Sequence, residues 1–281
     1  MHFIGPHVSA QGGVANAPAN AKKVGATGFA LFVKNQRQWR AAPLAEGEAE
    51  AFQKALRENG YTPGMLLPHA GYLINIANPD HDKQMRAIDA LVVELRRCRE
   101  LGLASLNIHP GSHLKLMDAP DALRRVAGAV NSALGETEGV RIVLENTAGQ
   151  GGCLGGALEE LAAIIAGVKD IARVGVCLDT CHAHAAGIPV RGAQNAARLL
   201  DTAGRLFGPG LLAGMHLNDA KGEFGSRLDR HAPLGKGLLG WDTFHALASD
   251  RRTENIPLIT ETPDEEAWPV EIATLLSNFT S

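Results

Sequence analysis

Eight short apolar runs, each separated from the next by a stretch with helical patterning, constrain this chain more than any other feature. They lie at 3–7, 28–32, 65–69, 105–109, 141–145, 174–179, 214–218 and 257–261. Runs of this length read as buried strands, and the stretches between them are long enough for crossover helices. Within 84–101, Ile88, Leu91, Val92 and Leu95 share one helical face; within 122–134, Leu123, Val126 and Val130 do the same. Eight strand–helix alternations with no long linker or low-complexity tract predict an α/β fold, a closed (β/α)8 TIM barrel forming one domain over 1–281. An open doubly wound sheet would carry a glycine-rich phosphate turn after an early strand. The glycines here, Gly149, Gly151, Gly152, Gly155 and Gly156, follow the fifth run and fit neither phosphate-loop spacing. They read as a flexible loop.

Composition supplies the core and removes some classes. With 45% hydrophobic and 20% charged residues the chain lacks the signature of disorder. No leader pattern or membrane-length apolar run is visible, so a cytoplasmic, non-membrane protein is expected. Cys98, Cys153, Cys177 and Cys181 are too few for a disulfide framework and read as reduced thiols, Cys177 and Cys181 as buried structural ones. The formal charge of −3 argues against nucleic acid only if no metal is bound; three divalent ions would turn it into +3, concentrated in one place.

The metal-capable side chains fall where a barrel would gather them. His69, His109, Glu145, Asp179 and Glu261 end the third, fourth, fifth, sixth and eighth runs, and His216 lies near the end of the seventh. All strands of such a barrel point one way, so these groups converge on the C-terminal rim, where barrel active sites are built. His182 follows in the segment D-T-C-H, and Asp229 and His231 stand two apart in L-D-R-H, on one side of an extended segment. Five histidines and four carboxylates exceed what one zinc ion takes, since a catalytic zinc has about three protein ligands and an open position. They suit a cluster of two or three ions. A lone strand-end histidine is more often a hydrogen-bonded structural residue, but clustered carboxylates are costly unless paired or metal-bound. The His-plus-carboxylate mixture favours zinc, with manganese or ferrous iron as alternatives. His7 and His113 are read as neighbours of the rim, and His184 as structural.

The segments PHAGYLIN (68–75), NIHPGS (107–112), LENTAGQG (144–151), GVCLDTCH (175–182), MHLNDAK (215–221) and GSRLDRH (225–231), with KNQRQWR (34–40) before them, together resemble the endonuclease IV family across nearly the whole chain. The resemblance implies a trinuclear zinc centre, with manganese as the alternative at one or more sites. One ion would be held by His69, His109 and Glu145, a second by Glu145, Asp179, His216 and Glu261, and the third by His182, Asp229 and His231. It implies hydrolysis of the phosphodiester 5′ to an abasic site, leaving a 3′-hydroxyl and a 5′-deoxyribose phosphate, and a second activity that cleans blocked 3′ ends. The partner would be double-stranded DNA carrying such lesions, and the protein a monomer. Glu261 and the bridging Glu145 are the expected catalytic residues. Arg37, Tyr72 and Leu73 would enter the minor groove, supported by Asn35 and Gln36, and Lys221, Arg227 and Arg230 would meet phosphates. Gly71, beside the Tyr72 wedge, is expected to loosen that loop, and Thr260 departs from an aliphatic position without touching a ligand. A one- or two-metal sugar isomerase on a similar barrel is the rival reading, and it has no need of a third ligand set.

Overall fold

The computed structural model describes residues 2–277. Its strands are β1 (Phe3–Pro6), β2 (Ser105–Ile108), β3 (Arg141–Glu145), β4 (Val174–Asp179), β5 (Leu212–His216), β6 (Asp219–Ala220), β7 (His231–Ala232) and β8 (Pro257–Thr260). The helices are α1 (Ala17–Lys23), α2 (Glu48–Asn59), α3 (His81–Glu100), α4 (Ala119–Gly135), α5 (Leu158–Ala166), α6 (Thr180–Ala186), α7 (Ala193–Phe207), α8 (Trp241–Ser249) and α9 (Trp268–Ser277). Six strands form one parallel sheet in the order β1-β8-β5-β4-β3-β2, while β6 and β7 make a small antiparallel ribbon above it.

Two of the eight expected strands, 28–32 and 65–69, are not regular ladders. They close the circle between β1 and β2 through isolated parallel bridges: His7 with Ala30, Phe29 with Leu66, Phe32 with His69, and His69 with Asn107. Pro68 has no N–H to donate, so the side of the 65–69 stave that faces β2 lacks a ladder bond. Its carbonyl still accepts from Asn107 N at 2.8 Å, and His69 N donates to Leu31 O at 3.1 Å, so the wall stays bonded. Gly28 permits the close approach here: a Cβ on it would lie 2.6 Å from Met65 O and 2.8 Å from Phe3 Cβ. The result is a TIM-type α/β barrel with two irregular staves.

Helix ends follow local chemistry. Asp80 caps α3 by accepting from Lys83 N at 3.1 Å, and Asp118 caps α4 by accepting from Asp121 N at 2.9 Å, with Pro120 in the first turn. The apolar stripe of α3, including Ala87, Ile88, Leu91, Leu95 and Cys98, is buried against the barrel wall. No helix among the described residues is long and apolar enough to cross a membrane.

A second, smaller core lies apart from the one between sheet and helices. Ala30, Leu67, Val143, Cys177 and Ile259, one from each of five staves, are fully buried against one another, with Ala213 packed against them. This plug decides where the chemistry sits. Side chains alternate across a strand, so the residue two places further on also faces inward. Two beyond Leu67, Val143, Cys177 and Ile259 stand His69, Glu145, Asp179 and Glu261. A register shift between β4 and β5 at Val176/Cys177 brings His216 level with Asp179. Four candidate ligands therefore rest on an apolar floor, and emptying one large position of such a floor costs about 2–5 kcal/mol.

Candidate metal centre

The nine candidate ligands lie together at the C-terminal mouth, around Glu145. This carboxylate is fully buried. One oxygen lies 3.3 Å from His69 Nε2 and 3.5 Å from His109 Nε2; the other lies 3.0 Å from His216 Nδ1 and 3.2 Å from His182 Nδ1. His216 Nδ1 is also 3.5 Å from Glu261 Oε2 and 3.9 Å from Asp179 Oδ2. On the outer side, Asp229 bridges His182 Nε2 at 3.3 Å and His231 Nε2 at 3.2 Å. Two of the expected ligand sets, His69–His109–Glu145 and His182–Asp229–His231, each have their donor atoms within 4.8 Å of one another.

Three of the histidines have their free nitrogen chosen by the backbone. His69 Nδ1 donates to Ala70 O at 2.7 Å, His182 Nδ1 to Asn146 O at 2.9 Å, and His231 Nδ1 to Glu261 O at 3.2 Å. A carbonyl can only accept, so Nδ1 carries a proton and Nε2 is the nitrogen that faces the cup, where a metal would displace any proton it holds. Asp179 has a divided role: Oδ1 caps α6 by accepting from His182 N at 2.7 Å, while Oδ2 accepts from Asn218 Nδ2 at 2.6 Å. This accounts for the D-T-C-H spacing, since the residue three beyond a cap is the one whose N–H it satisfies.

The electrostatics select positive charge. Among the described residues, every ion-pair partner of Glu145, Asp179, Asp229 and Glu261 is a histidine; no lysine or arginine pairs with them. Burial pushes the Glu145 and Glu261 carboxyls upward, but the surrounding imidazoles, His216 foremost, outweigh it and hold both well below the usual range. Burial likewise opposes the charging of His231, yet Asp229 and the neighbouring carboxylates raise it to about 9. Four carboxylates that must share histidine protons are a poor resting arrangement and a good cation trap, because buried carboxylates need a compensating charge. The donor set of imidazole nitrogen and carboxylate oxygen thus fits zinc or a similar divalent ion. Cys177 and Cys181 also fall within ligand distance of the cup, and burial pushes both thiols up to about 12.

Several participants are not in the sequence-derived set. Asn107 donates through Nδ2 to Glu145 Oε2, Asn218 Oδ1 accepts from Glu261 N at 2.7 Å, and Asn146 Oδ1 accepts from Asp179 N at 2.7 Å. His7, read from the sequence as a neighbour of the rim, is one: its Nδ1 lies 3.1 Å from Glu261 Oε1. His184 is buried against Phe224, with ring centroids 5.5 Å apart, and takes no part in the cup.

Of the expected groove residues, Tyr72 lines the mouth. Tyr72 is 66% exposed and Leu73 36%, and the Tyr72 ring lies 6.3 Å from that of His69. Asn35 and Arg37 are exposed and Gln36 half-buried on the neighbouring turn. Lys221, Arg227 and Arg230 are exposed along the segment that ends at His231. A cavity of about 200 Å³ opens beside Tyr72, bounded by His69, Tyr72, His109, Ser112, Gln150 and Asp229. Gly71 does not loosen its loop: its N–H donates to both oxygens of Glu94, at 3.2 and 3.1 Å.

Fold and site together define a parallel barrel whose C-terminal mouth gathers a cup of histidines and carboxylates that could hold divalent metal. The family described as xylose isomerase-like TIM barrel matches residues 18–278, and the chain belongs to it, within its endonuclease IV branch. Endonuclease IV from Thermus thermophilus is 33% identical, with 99% of each chain covered and a TM-score of 0.85. Similarity of fold alone extends to 3-keto-D-glucoside 4-epimerase from E. coli (17% identity, 99% of this chain and 100% of that one, TM-score 0.69). It extends also to D-psicose 3-epimerase from Clostridium cellulolyticum (16% identity, 98% and 97% covered, TM-score 0.71).

Proposed function

We propose that this chain is a metal-dependent DNA repair endonuclease that hydrolyses the phosphodiester 5′ to abasic sites, leaving a 3′-hydroxyl and a 5′-deoxyribose phosphate, and that it also clears blocked 3′ ends. The observation that carries the reading is the outer ligand set. His182, Asp229 and His231 are gathered beside the inner cup, directly under the loops of Tyr72 and the basic 221–230 segment. An isomerase of one or two ions would have no use for that set, whereas a phosphodiester needs charge stabilised at both the attacking and the departing oxygen.

His69, His109 and Glu145 would hold one zinc ion, Glu145, Asp179, His216 and Glu261 a second, and His182, Asp229 and His231 a third, with manganese as an alternative. When bound, such ions bring the pKa of water to about 7 and stabilise negative charge on phosphate oxygens. The chain's own residues do the positioning. Glu261, held by His7 at Oε1 and by Asn218 through its N–H, aligns the attacking water with phosphorus. Glu145, gripped by Asn107 and four imidazoles, keeps the inner histidines at one spacing. The bond that breaks joins phosphorus to the 3′ oxygen of the preceding nucleotide. Arg37, Tyr72 and Leu73, supported by Asn35 and Gln36, enter the minor groove and fill the gap left by the missing base. Distorting a duplex costs a few kcal/mol per step, and a site already lacking a base lowers that cost. Lys221, Arg227 and Arg230 meet phosphates on the flanks.

The test is metal analysis together with incision of a duplex carrying one tetrahydrofuran abasic analogue, beside an undamaged control. A cut 5′ to the lesion that is abolished in Glu261→Gln, with DNA binding retained, is expected. Absence of incision after zinc or manganese loading, with turnover of ketose sugars, would replace this reading by an isomerase one.

A further inference from the structure

The two turns assigned to the lesion are joined underneath by a buried charge pair. Lys34 Nζ lies 3.1 Å from Glu94 Oε1, and their side chains are only 4% and 1% exposed. Each partner also holds backbone. Lys34 Nζ donates to Gln38 O at 2.7 Å, closing the turn that presents Asn35, Gln36 and Arg37. Glu94 accepts from the N–H of Gly71, the residue immediately before Tyr72. The turns touch at the same place: a Cβ on Gly71 would lie 3.2 Å from both Gln36 O and Glu94 Oε1.

Glu94 belongs to α3, which grips the first turn twice more. Arg97 donates to Val33 O at 3.0 Å and to Ala42 O at 2.7 Å, and the Arg86 guanidinium lies 4.3 Å above the Trp39 ring. Arg86, Glu94 and Arg97 fall on one side of the helix at 3.6 residues per turn. A buried ion pair adds little net stability over a well-packed apolar pair. An apolar pair, however, could not receive an N–H from one loop and donate to a carbonyl of the other. The arrangement fixes the distance between two loops, which apolar packing alone does less sharply.

We propose that Lys34 and Glu94 are positioning residues that lock the 35–38 and 71–74 turns at one spacing, so that Arg37 and the Tyr72–Leu73 wedge enter the same lesion together. This rests on the function proposed above. The pair touches neither substrate nor candidate ligand; its one link to the cup is the Ala70–Gly71 peptide, whose carbonyl accepts from His69 Nδ1, and the small-diester control below reads that link.

The test compares wild type with Glu94→Gln and with the double variant Lys34→Met/Glu94→Met, which removes both charges and so avoids stranding one of them. Hydrogen exchange comes first: amide protection at 35–38 and 71–74 is expected to fall together in the double variant. A fall in only one segment, or in neither, overturns the lock whatever the protein's substrate. Steady-state incision of the tetrahydrofuran duplex is then expected to show KM raised about 10- to 100-fold, the scale of a misplaced binding group, with kcat little changed. Turnover of bis(p-nitrophenyl) phosphate, too small to meet the turns, stays at the wild-type value. An unchanged KM, or a parallel fall in small-diester turnover, overturns the proposal. Failure of the wild-type protein itself to incise the duplex would defeat the functional reading instead.

Discussion

Replacing Asn107 by leucine should weaken metal binding without unfolding the barrel. Asn107 is fully buried and donates through its side chain to Glu145, which is itself fully buried. The backbone of Asn107 bonds independently to Pro68 O and Ala70 N, so the strand keeps its register when the side chain changes. What is lost is a hydrogen bond to a charged acceptor that no solvent can replace. Such bonds contribute about 1.5–3 kcal/mol. At about 1.4 kcal/mol per tenfold, the affinity of the sets that share Glu145 should fall about 10- to 150-fold. This agrees with the 10- to 100-fold scale typical of residues that brace metal ligands. The assay is competition against graded chelator, with bound metal counted by elemental analysis and the fold followed by circular dichroism. The outer set His182–Asp229–His231 should lose its ion at the wild-type chelator concentration. Equal retention by wild type and variant at every concentration would refute the idea that Asn107 braces the cup.

Two further expectations concern groups outside the centre. Burial pushes the Tyr61 phenol up to about 12, and its hydroxyl donates to Ala26 O at 2.8 Å. A raised pKa means that its contribution is intact below the unfolded value of 10 and is lost as pH rises through about 12. Alkaline titration should therefore show phenolate absorbance from Tyr61 appearing only with unfolding; ionisation near pH 10 in the folded protein would contradict this. Thr260 is buried, and its hydroxyl has no hydrogen-bond partner among the described residues. Thr260→Val should add about 1 kcal/mol, seen as a melting point higher by about 2 °C with unchanged incision; a lowered melting point would show that the hydroxyl is satisfied.

The convergence of the candidate ligands was readable in the sequence because strand geometry is regular. A residue that ends an apolar run of a parallel barrel has few places to go, and His69, Glu145, Asp179 and Glu261 each stand two beyond a plug residue. The amides that brace them carried the same signal at lower contrast. Asn107 lies two before His109 and Asn218 two after His216, so both share the alternation of a candidate ligand. Asparagine alone suggests a turn rather than a wall, and the fit of these side chains to Glu145 and Asp179 is a matter of distance, which sequence does not hold. The irregular second and third staves were half legible: Pro68 announces a missing donor, but the bridges that keep the circle closed depend on neighbours remote in the chain. The Lys34–Glu94 pair was invisible for the same reason, because its partners are 60 residues apart.

The plug beneath the cup turns the barrel into a vessel with one opening. Ala30, Leu67, Val143, Cys177 and Ile259 leave no exposed surface between them. Nothing hydrated passes through that floor, so under the proposed function ions and substrate would share the mouth lined by Tyr72 and Asp229. A duplex lying across it would stopper the vessel. Metal would have to be loaded before DNA arrives, and an ion present when the strand is engaged would stay until the strand departs.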